Sequence, residues 1–243
     1  MFKEIDRKKK IIEEKRPLPK NTLKSIREKL FLEWTYNSNA IEGNTLTLSE
    51  TKVVLEDGIT IGGKTLKEHL EVINHKEAIM YMEDIIRENE DLSERQIKSI
   101  HHLILKGIDD ENAGRYRREK VVISGATHIP PSPIRIAEQM EGLVKWYYEG
   151  GQDLHTVERA SKLHTDFVKI HPFIDGNGRT ARVLLNFELM KNGYPIIIIK
   201  NEDRAKYYES LDKAHITEDY SDFVKLIGNA LNRSLDLYLK LID

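Results

Sequence analysis

His171 to Arg182 reads HPFIDGNGRTAR. It sets a titratable base, a carboxylate, two glycines and two arginines between two stretches of helical spacing. Downstream, Arg179 to Met190 (RTARVLLNFELM) is apolar on nearly all sides, the pattern of a helix buried in a core rather than lying on a surface. Asn192 and Gly193 end it. Upstream, Thr156 to Ile170 carries a helical rhythm of its own. The segment is therefore a loop between two core helices, and the fold class that follows is mainly α.

The residue types in that loop suit one task. Gly176 and Gly178 can take backbone angles that turn several N–H groups toward one point, and the helix that follows adds its positive end, so the loop is an anion cradle. Arg179 and Arg182 share a face near the start of that helix, where cations are unfavourable unless an anion compensates them. Asp175 suits a magnesium ion bridging phosphate oxygens. His171, with an ordinary pKa near neutrality, can take a proton from an attacking hydroxyl. Phe173 points the other way and anchors the loop. Singly, each residue has a plainer explanation: a structural histidine, a turn aspartate, a solvated arginine pair. The ordered set points to a phosphate-handling site.

Working outward, the first half of the chain reads as successive helices, with apolar residues at Leu66, Leu70, Ile73 and Ala78 and at Ile97, Ile100, Leu103 and Leu105. Thr47 with Glu50 makes a capping box, and Ser93 precedes the helical run ERQIKSIHHLIL. Lys120 to Pro133 (KVVISGATHIPPSP) breaks the pattern with a β-branched run, a turn at Gly125 and helix-forbidding prolines, which predicts an exposed β-hairpin over 120–133. Helical spacing returns over Ile134 to Tyr148, Asp203 to His215 and Tyr220 to Leu241, with Pro195 to Ile199 extended. No linker rich in Pro, Gly or Ser separates a second domain, so residues 1–60 and 61–243 are expected to pack as one unit.

The chain has 243 residues, 40% of them hydrophobic, enough for one sizeable core. Its 38 Lys and Arg against 40 Asp and Glu leave a net charge of −2, so no global basic field gathers nucleic acid or anionic lipid. The absence of cysteine excludes disulfides, thiolate catalysis and Cys-bearing zinc sites. His69 and His75 do not form an H-E-x-x-H pair, and His101 and His102 face different ways on a helix, so no zinc site is expected either. His164 reads as a helix-packing residue, and the RKKK run near the start as a solvated helix face. The opening MFKEIDRKKKIIEEK lacks a signal-peptide core and no segment approaches a membrane span, so a soluble cytoplasmic protein is expected, without nucleic-acid or membrane partners. One rival motif is present: GNGRTA also fits G-x-G-x-x-A, and PIIIIK followed by Glu202 and Asp203 imitates a dinucleotide-binding strand. Against it, Pro172 stands where a buried strand should end and no βαβ succession follows.

HPFIDGNGRTAR resembles, position by position, the signature of the Fic (Fic/Doc) family, most of whose members transfer AMP from ATP to Ser, Thr or Tyr hydroxyls. The resemblance runs from about Ser38 to the C-terminus and includes GRYRREKVVISGATHIPPSP, similar to the hairpin that aligns a target peptide. It implies a Fic-type helical domain with a small β-hairpin flap. It makes His171 the base, Asp175 the magnesium ligand, Gly176, Asn177, Gly178 and Arg179 the holders of the α- and β-phosphates, and Arg182 the grip on the γ-phosphate. Tyr207, Tyr208 and Leu211 resemble the adenine-pocket residues, with His215 where relatives often have Asn. Relatives that phosphorylate carry Lys at the place of Gly178, so the intact GNGR favours AMP transfer.

A second motif, SNAIEGN from Ser38 to Asn44, is similar to the inhibitory helix of Fic proteins that keep their brake in the same chain, here expected at about residues 30–44. Ser38 and Glu42 are four apart on one face, and Gly43 with Asn44 reads as the helix stop. A carboxylate at a helix C-terminus is disfavoured by the dipole and seeks a cation; the family pattern supplies Arg182. The expectation is a protein adenylyltransferase autoinhibited by the Glu42–Arg182 pair, with ATP and Mg2+, an unidentified target protein docking on the 120–133 hairpin, and self-modification and a homodimer as further partnerships. AMP removal, with Glu42 orienting a water, and an idle nucleotide-binding regulator are the alternatives.

Overall fold

The structure is a computed structural model describing residues 1–242, and among them there are ten α-helices and no strand. Helices α7 (Thr156–Ile170) and α8 (Asn177–Lys191) form the central hairpin. α8 is buried on all sides, with Val183, Leu184, Leu185, Phe187 and Leu189 all in the core, as its unbroken apolar run requires. Around it stand α4 (Leu66–Arg87), α5 (Glu94–Leu105) and α2 (Lys20–Ile41), and α6 (Ile136–Tyr148) lies against α7. α9 (Arg204–Thr217) and α10 (Ser221–Ile242) complete the far side, where α1 (Phe2–Glu14) packs along α10. One apolar core runs from Ile5 to Leu235.

Local chemistry sets the helix ends. Thr47 caps α3 (Leu48–Lys52) reciprocally with Glu50, as expected, and Thr65 with Glu68 does the same for α4. Ser93, in contrast, bonds the Gln96 side chain rather than a backbone N–H. The RKKK run is not merely solvated: Lys8 pairs with Asp236 at 2.6 Å and Lys9 lies over the Tyr194 ring, so the run docks α1.

Residues 120–133 do not form the expected β-hairpin. The chain turns at Gly125, but the two arms exchange no ladder of bonds. The second arm is held elsewhere: one carboxylate oxygen of Asp212 on α9 accepts from the N–H groups of Thr127 and His128 at 2.9 and 3.1 Å, and the His128 ring bonds the Lys169 carbonyl. The first arm alternates partly buried Val121 and Ile123 with Val122 83% exposed, and no second strand lies beside it to pair with. β-branched composition identified an extended excursion and not its partner.

Candidate active site

α7 ends at Ile170, and His171 takes the left-handed region with φ 49° and ψ 60°, which a residue bearing a Cβ enters only when its surroundings hold it there. The holder is Arg117, buried and unremarked in the sequence. Its Nε donates to the His171 carbonyl at 2.8 Å, its other nitrogens to the carbonyls of Glu119 and Pro131, and its main-chain N–H to the Pro172 carbonyl. A single guanidinium thus ties the turn that aims His171 to both ends of the flap.

Burial, and then the charge of Arg117, push the His171 pKa down to about 4, so the ring is neutral at physiological pH rather than poised near it. Its Nδ1 is buried without a hydrogen bond of good geometry, which leaves Nε2 as the nitrogen open to an incoming group.

The rest of the loop is braced from below. Phe173 is buried and stacks on His101 with ring centroids 3.5 Å apart. His101 Nδ1 accepts from the Gly114 N–H, so its proton sits on Nε2 and is donated to the Asp175 carbonyl at 2.9 Å. The Asn177 side chain spans the main chain of Phe173, accepting from its N–H and donating to its carbonyl. The carboxamide is thereby used as a brace, and what Asn177 has left for an anion is its main-chain N–H at the start of α8. Gly176 takes φ 75° with the His101 ring 3.2 Å from where a Cβ would lie.

Asp175 accepts from the Gly176 N–H at 2.6 Å and from Arg179 at 3.4 Å. Burial pushes its carboxyl up, but Arg179 and that N–H outweigh it, and the group lies below its ordinary value. Its second oxygen has only Lys67, 3.9 Å away. Arg179 is buried with Glu71 at 3.4 Å, and its Nε and Nη1 make no hydrogen bond. Two carboxylates, Glu71 and Asp175, already face this guanidinium, and its two unbonded N–H donors are what a further acceptor could use.

Across the cradle lies the end of α2, which begins at Lys20, well before the expected residue 30, and stops at Ile41 with Gly43 at φ 99°. Glu42 Oε1 sits 2.7 Å from Arg182 Nη2, and a Cβ placed on Gly178 would collide with that same oxygen. The carboxylate therefore fills the space above the first turn of α8. Ser38 completes the contact: its hydroxyl accepts from Arg182 Nε at 3.0 Å and its carbonyl from Nη2 at 2.7 Å. Burial alone would lower the Arg182 pKa, but Glu42 and Tyr207 raise it further, so this side chain stays charged. Tyr207 is buried against Arg182, while Tyr208 is 38% exposed beside it and Leu211 is buried one turn along α9. His215 is turned away, its Nε2 bonded to the Thr165 carbonyl. Sequence reading had no signal for Arg117, His101 or Glu71, because each acts through the loop rather than in it.

The fold is a helical domain whose loop between its two central helices opens onto the N-terminus of α8. Residues 91–189 match the model of the Fic/DOC family. Over its whole length the chain is similar to a Fic-domain-containing signalling protein from Bacteroides thetaiotaomicron, at TM-score 0.90 and 33% identity, with 99% of this chain and 96% of that one covered. A fragment of Fic-1 from C. elegans superposes at TM-score 0.87 and 33% identity, covering 97% of this chain and 71% of that one. The chain belongs to the Fic/DOC family. Among curated relatives it is 39% identical over 218 residues to the protein adenylyltransferase Fic of Nematostella vectensis and 37% identical to that of Drosophila melanogaster, spanning 89% of this chain and 50% and 44% of theirs. It thus spans about half the length of these curated relatives.

Proposed function

We propose that this chain is a protein adenylyltransferase moving AMP from ATP to a Ser, Thr or Tyr hydroxyl, and that the Glu42–Arg182 pair restrains it. The observation that carries the reading is the Glu42 carboxylate seated on Gly178 and Arg182, at the place where an anionic phosphate would otherwise find the helix N-terminus and a buried cation. The names of the curated relatives support the reaction type.

In this reading the main-chain N–H groups from Gly176 to Arg179, with the Arg179 donors that make no hydrogen bond, hold the α- and β-phosphates, and Arg182 turns from Glu42 to the γ-phosphate. Tyr208 and Leu211 face the base. Among the described residues no cluster of three metal-binding side chains exists, but one carboxylate with an open oxygen suits Mg2+, which takes its remaining ligands from phosphates and water. Asp175 would hold it, and the ion would supply charge neutralisation between phosphates. His171 Nε2 takes the proton of the target hydroxyl as its oxygen attacks the α-phosphorus in line; the phosphoanhydride bond breaks and pyrophosphate leaves with its electrons. A ring held near 4 is a weak base, but polyphosphate bound beside it supplies negative charge that raises its proton affinity toward the working pH.

The flap over 120–133, with Val122 and Ile129 exposed, is where an extended target segment would pair. Residues 1–60 carry the restraint and 61–243 the catalytic part. Self-modification, a homodimer and a cytoplasmic setting belong to the same proposal; no helix among the described residues is long and apolar enough to cross a membrane. The test is incubation with ATP labelled in the α-phosphate. Glu42→Gly should label itself or lysate proteins well above the parent, and adding His171→Ala should abolish this while nucleotide binding persists. Activity within about tenfold after His171→Ala overturns the base assignment, since general base catalysis contributes roughly 10²- to 10⁴-fold.

A further inference from the structure

Tyr207 and Tyr208 are adjacent on α9 and their rings lie 5.2 Å apart, yet they occupy different worlds. Tyr208 is exposed, with the Arg204 guanidinium over its ring and its hydroxyl toward the Ile41 carbonyl. Tyr207 is 1% exposed, and its hydroxyl lies between Arg182 Nη1 at 3.3 Å and His164 Nε2 at 3.1 Å.

The proton positions in that chain follow from its members. Arg182 only donates, so the Tyr207 oxygen accepts from it. We assign the Tyr207 proton to His164 Nε2, which puts the ring proton on Nδ1, buried without a partner. His164 is fully buried, stacked on Phe223, and burial followed by the nearby Arg182 holds its pKa well below the ordinary value. A neutral His164 is thus a fixed acceptor that orients the Tyr207 hydroxyl, which presents its lone pairs to Arg182.

The Glu42 end of Arg182 and the Tyr207 end differ in kind. Ser38 lies in α2 and Glu42 caps its end: replacing Glu42 removes the carboxylate and leaves the two Ser38 contacts, and withdrawal of α2 removes all of them. Tyr207 and His164 belong to α9 and α7, the body of the domain, and remain. On the reading of the site given above, we propose that Tyr207, backed by His164, is the contact from the body of the domain that keeps Arg182 aimed at the γ-phosphate when the α2 side lets go, and so contributes to the preference for ATP over ADP; the adenine is left to Tyr208 and Leu211. Tyr207 is a positioning residue, acting through Arg182.

The two assignments of Tyr207 separate by experiment. ADP shares the adenine, ribose and inner phosphates of ATP and lacks only the group Arg182 would grip. Calorimetry with Mg2+ on the Glu42→Gly chain gives the ratio of ATP to ADP affinity, and Tyr207→Phe, which removes one oxygen, should cut that ratio about five- to tenfold, the size of one ordinary net hydrogen bond, while ADP affinity stays within about twofold. His164→Gln, which keeps an acceptor, should retain the ratio, and His164→Leu should lose it. The His164 pair reads the relay with the Tyr207 ring intact, so the result stands even if Tyr207→Phe loses its fold. ATP and ADP weakening together in Tyr207→Phe makes Tyr207 a wall of the adenine pocket and overturns the proposal, as does an unchanged ratio in both Tyr207→Phe and His164→Leu. If the Glu42→Gly chain binds neither nucleotide, the transfer reading itself fails, and this proposal falls with it.

Discussion

Replacing Glu42 by glycine should destabilise the free protein and make it gain more from ATP, and the structure sets the size of both effects. The Glu42–Arg182 pair is 2.7 Å long, with the arginine side chain 3% and the carboxylate side chain 30% exposed. Breaking a fully buried pair costs about 3–5 kcal/mol because the survivor is left unpaired. Here the survivor keeps the Ser38 hydroxyl, the Ser38 carbonyl and the Tyr207 hydroxyl, and its lost partner was near one-third exposed, so solvent screening discounts the loss to about 1–2 kcal/mol. In a chain of this length that lowers the melting midpoint by about 2–8 °C. Mg-ATP at a hundred times its Kd then returns about 2.7 kcal/mol. The parent should gain less, because its γ-phosphate meets a carboxylate where the variant offers a free guanidinium. Scanning fluorimetry with ATP and with ADP reads this directly: the extra gain of Glu42→Gly should appear with ATP, be largely absent with ADP, and vanish in Glu42→Gly/Arg182→Ala. Equal gains for parent and variant with both nucleotides would refute competition between Glu42 and the γ-phosphate.

Three further outcomes follow. Gly178→Ala introduces a Cβ into Glu42 Oε1 and within 3.0 Å of Arg182 Nη1; it should displace the restraining carboxylate and also obstruct the phosphates, so nucleotide binding should fall by at least about tenfold even with Glu42→Gly present, and an active Gly178→Ala would refute the cradle. Val122→Pro should leave the melting midpoint within about 2 °C, because the flap has no ladder to lose, yet slow labelling of protein targets in the Glu42→Gly chain more than it weakens ATP binding; equal losses in both would refute flap docking. His75, His101, His164 and His215 are all buried, and burial holds each below the ordinary value, His101 and His215 at about 4. The unfolded chain therefore binds more protons below about pH 6.5, and stability present above that pH is lost as pH falls toward 4, at about 1.4 kcal/mol each for His101 and His215 by pH 5.5, with His75 and His164 acting in the same direction. Against the roughly 5–15 kcal/mol typical of a domain this is a large share, so circular dichroism should show the melting midpoint falling steadily between about pH 6.5 and 5, and a flat midpoint over that range would refute neutral burial.

What could be read from the chain divides along a physical line. The cradle was legible because its requirements are local: two glycines, a helix start and two arginines within twelve residues can serve few other ends. Glu42 was legible for a related reason, since a carboxylate at a helix stop calls for a cation, although spacing alone could not say that Arg182, 140 residues away, supplies it. Arg117 and His101 carried no such mark. A basic residue in RYRREK and a histidine in a helical run gain their roles only when folding brings the His171 carbonyl and the Asp175 carbonyl to them. The flap shows the converse. Its composition spoke for pairing, but pairing needs a second strand with a face to bury, and the fold instead gave the main-chain donors of Thr127 and His128 to Asp212. Asp212 is the next residue after Leu211 on the helix that also carries Tyr207 and Tyr208, so the flap edge and the proposed nucleotide contacts are fixed to one rigid element. A displacement of α9 by the nucleotide would therefore be transmitted to the target edge without a hinge between them.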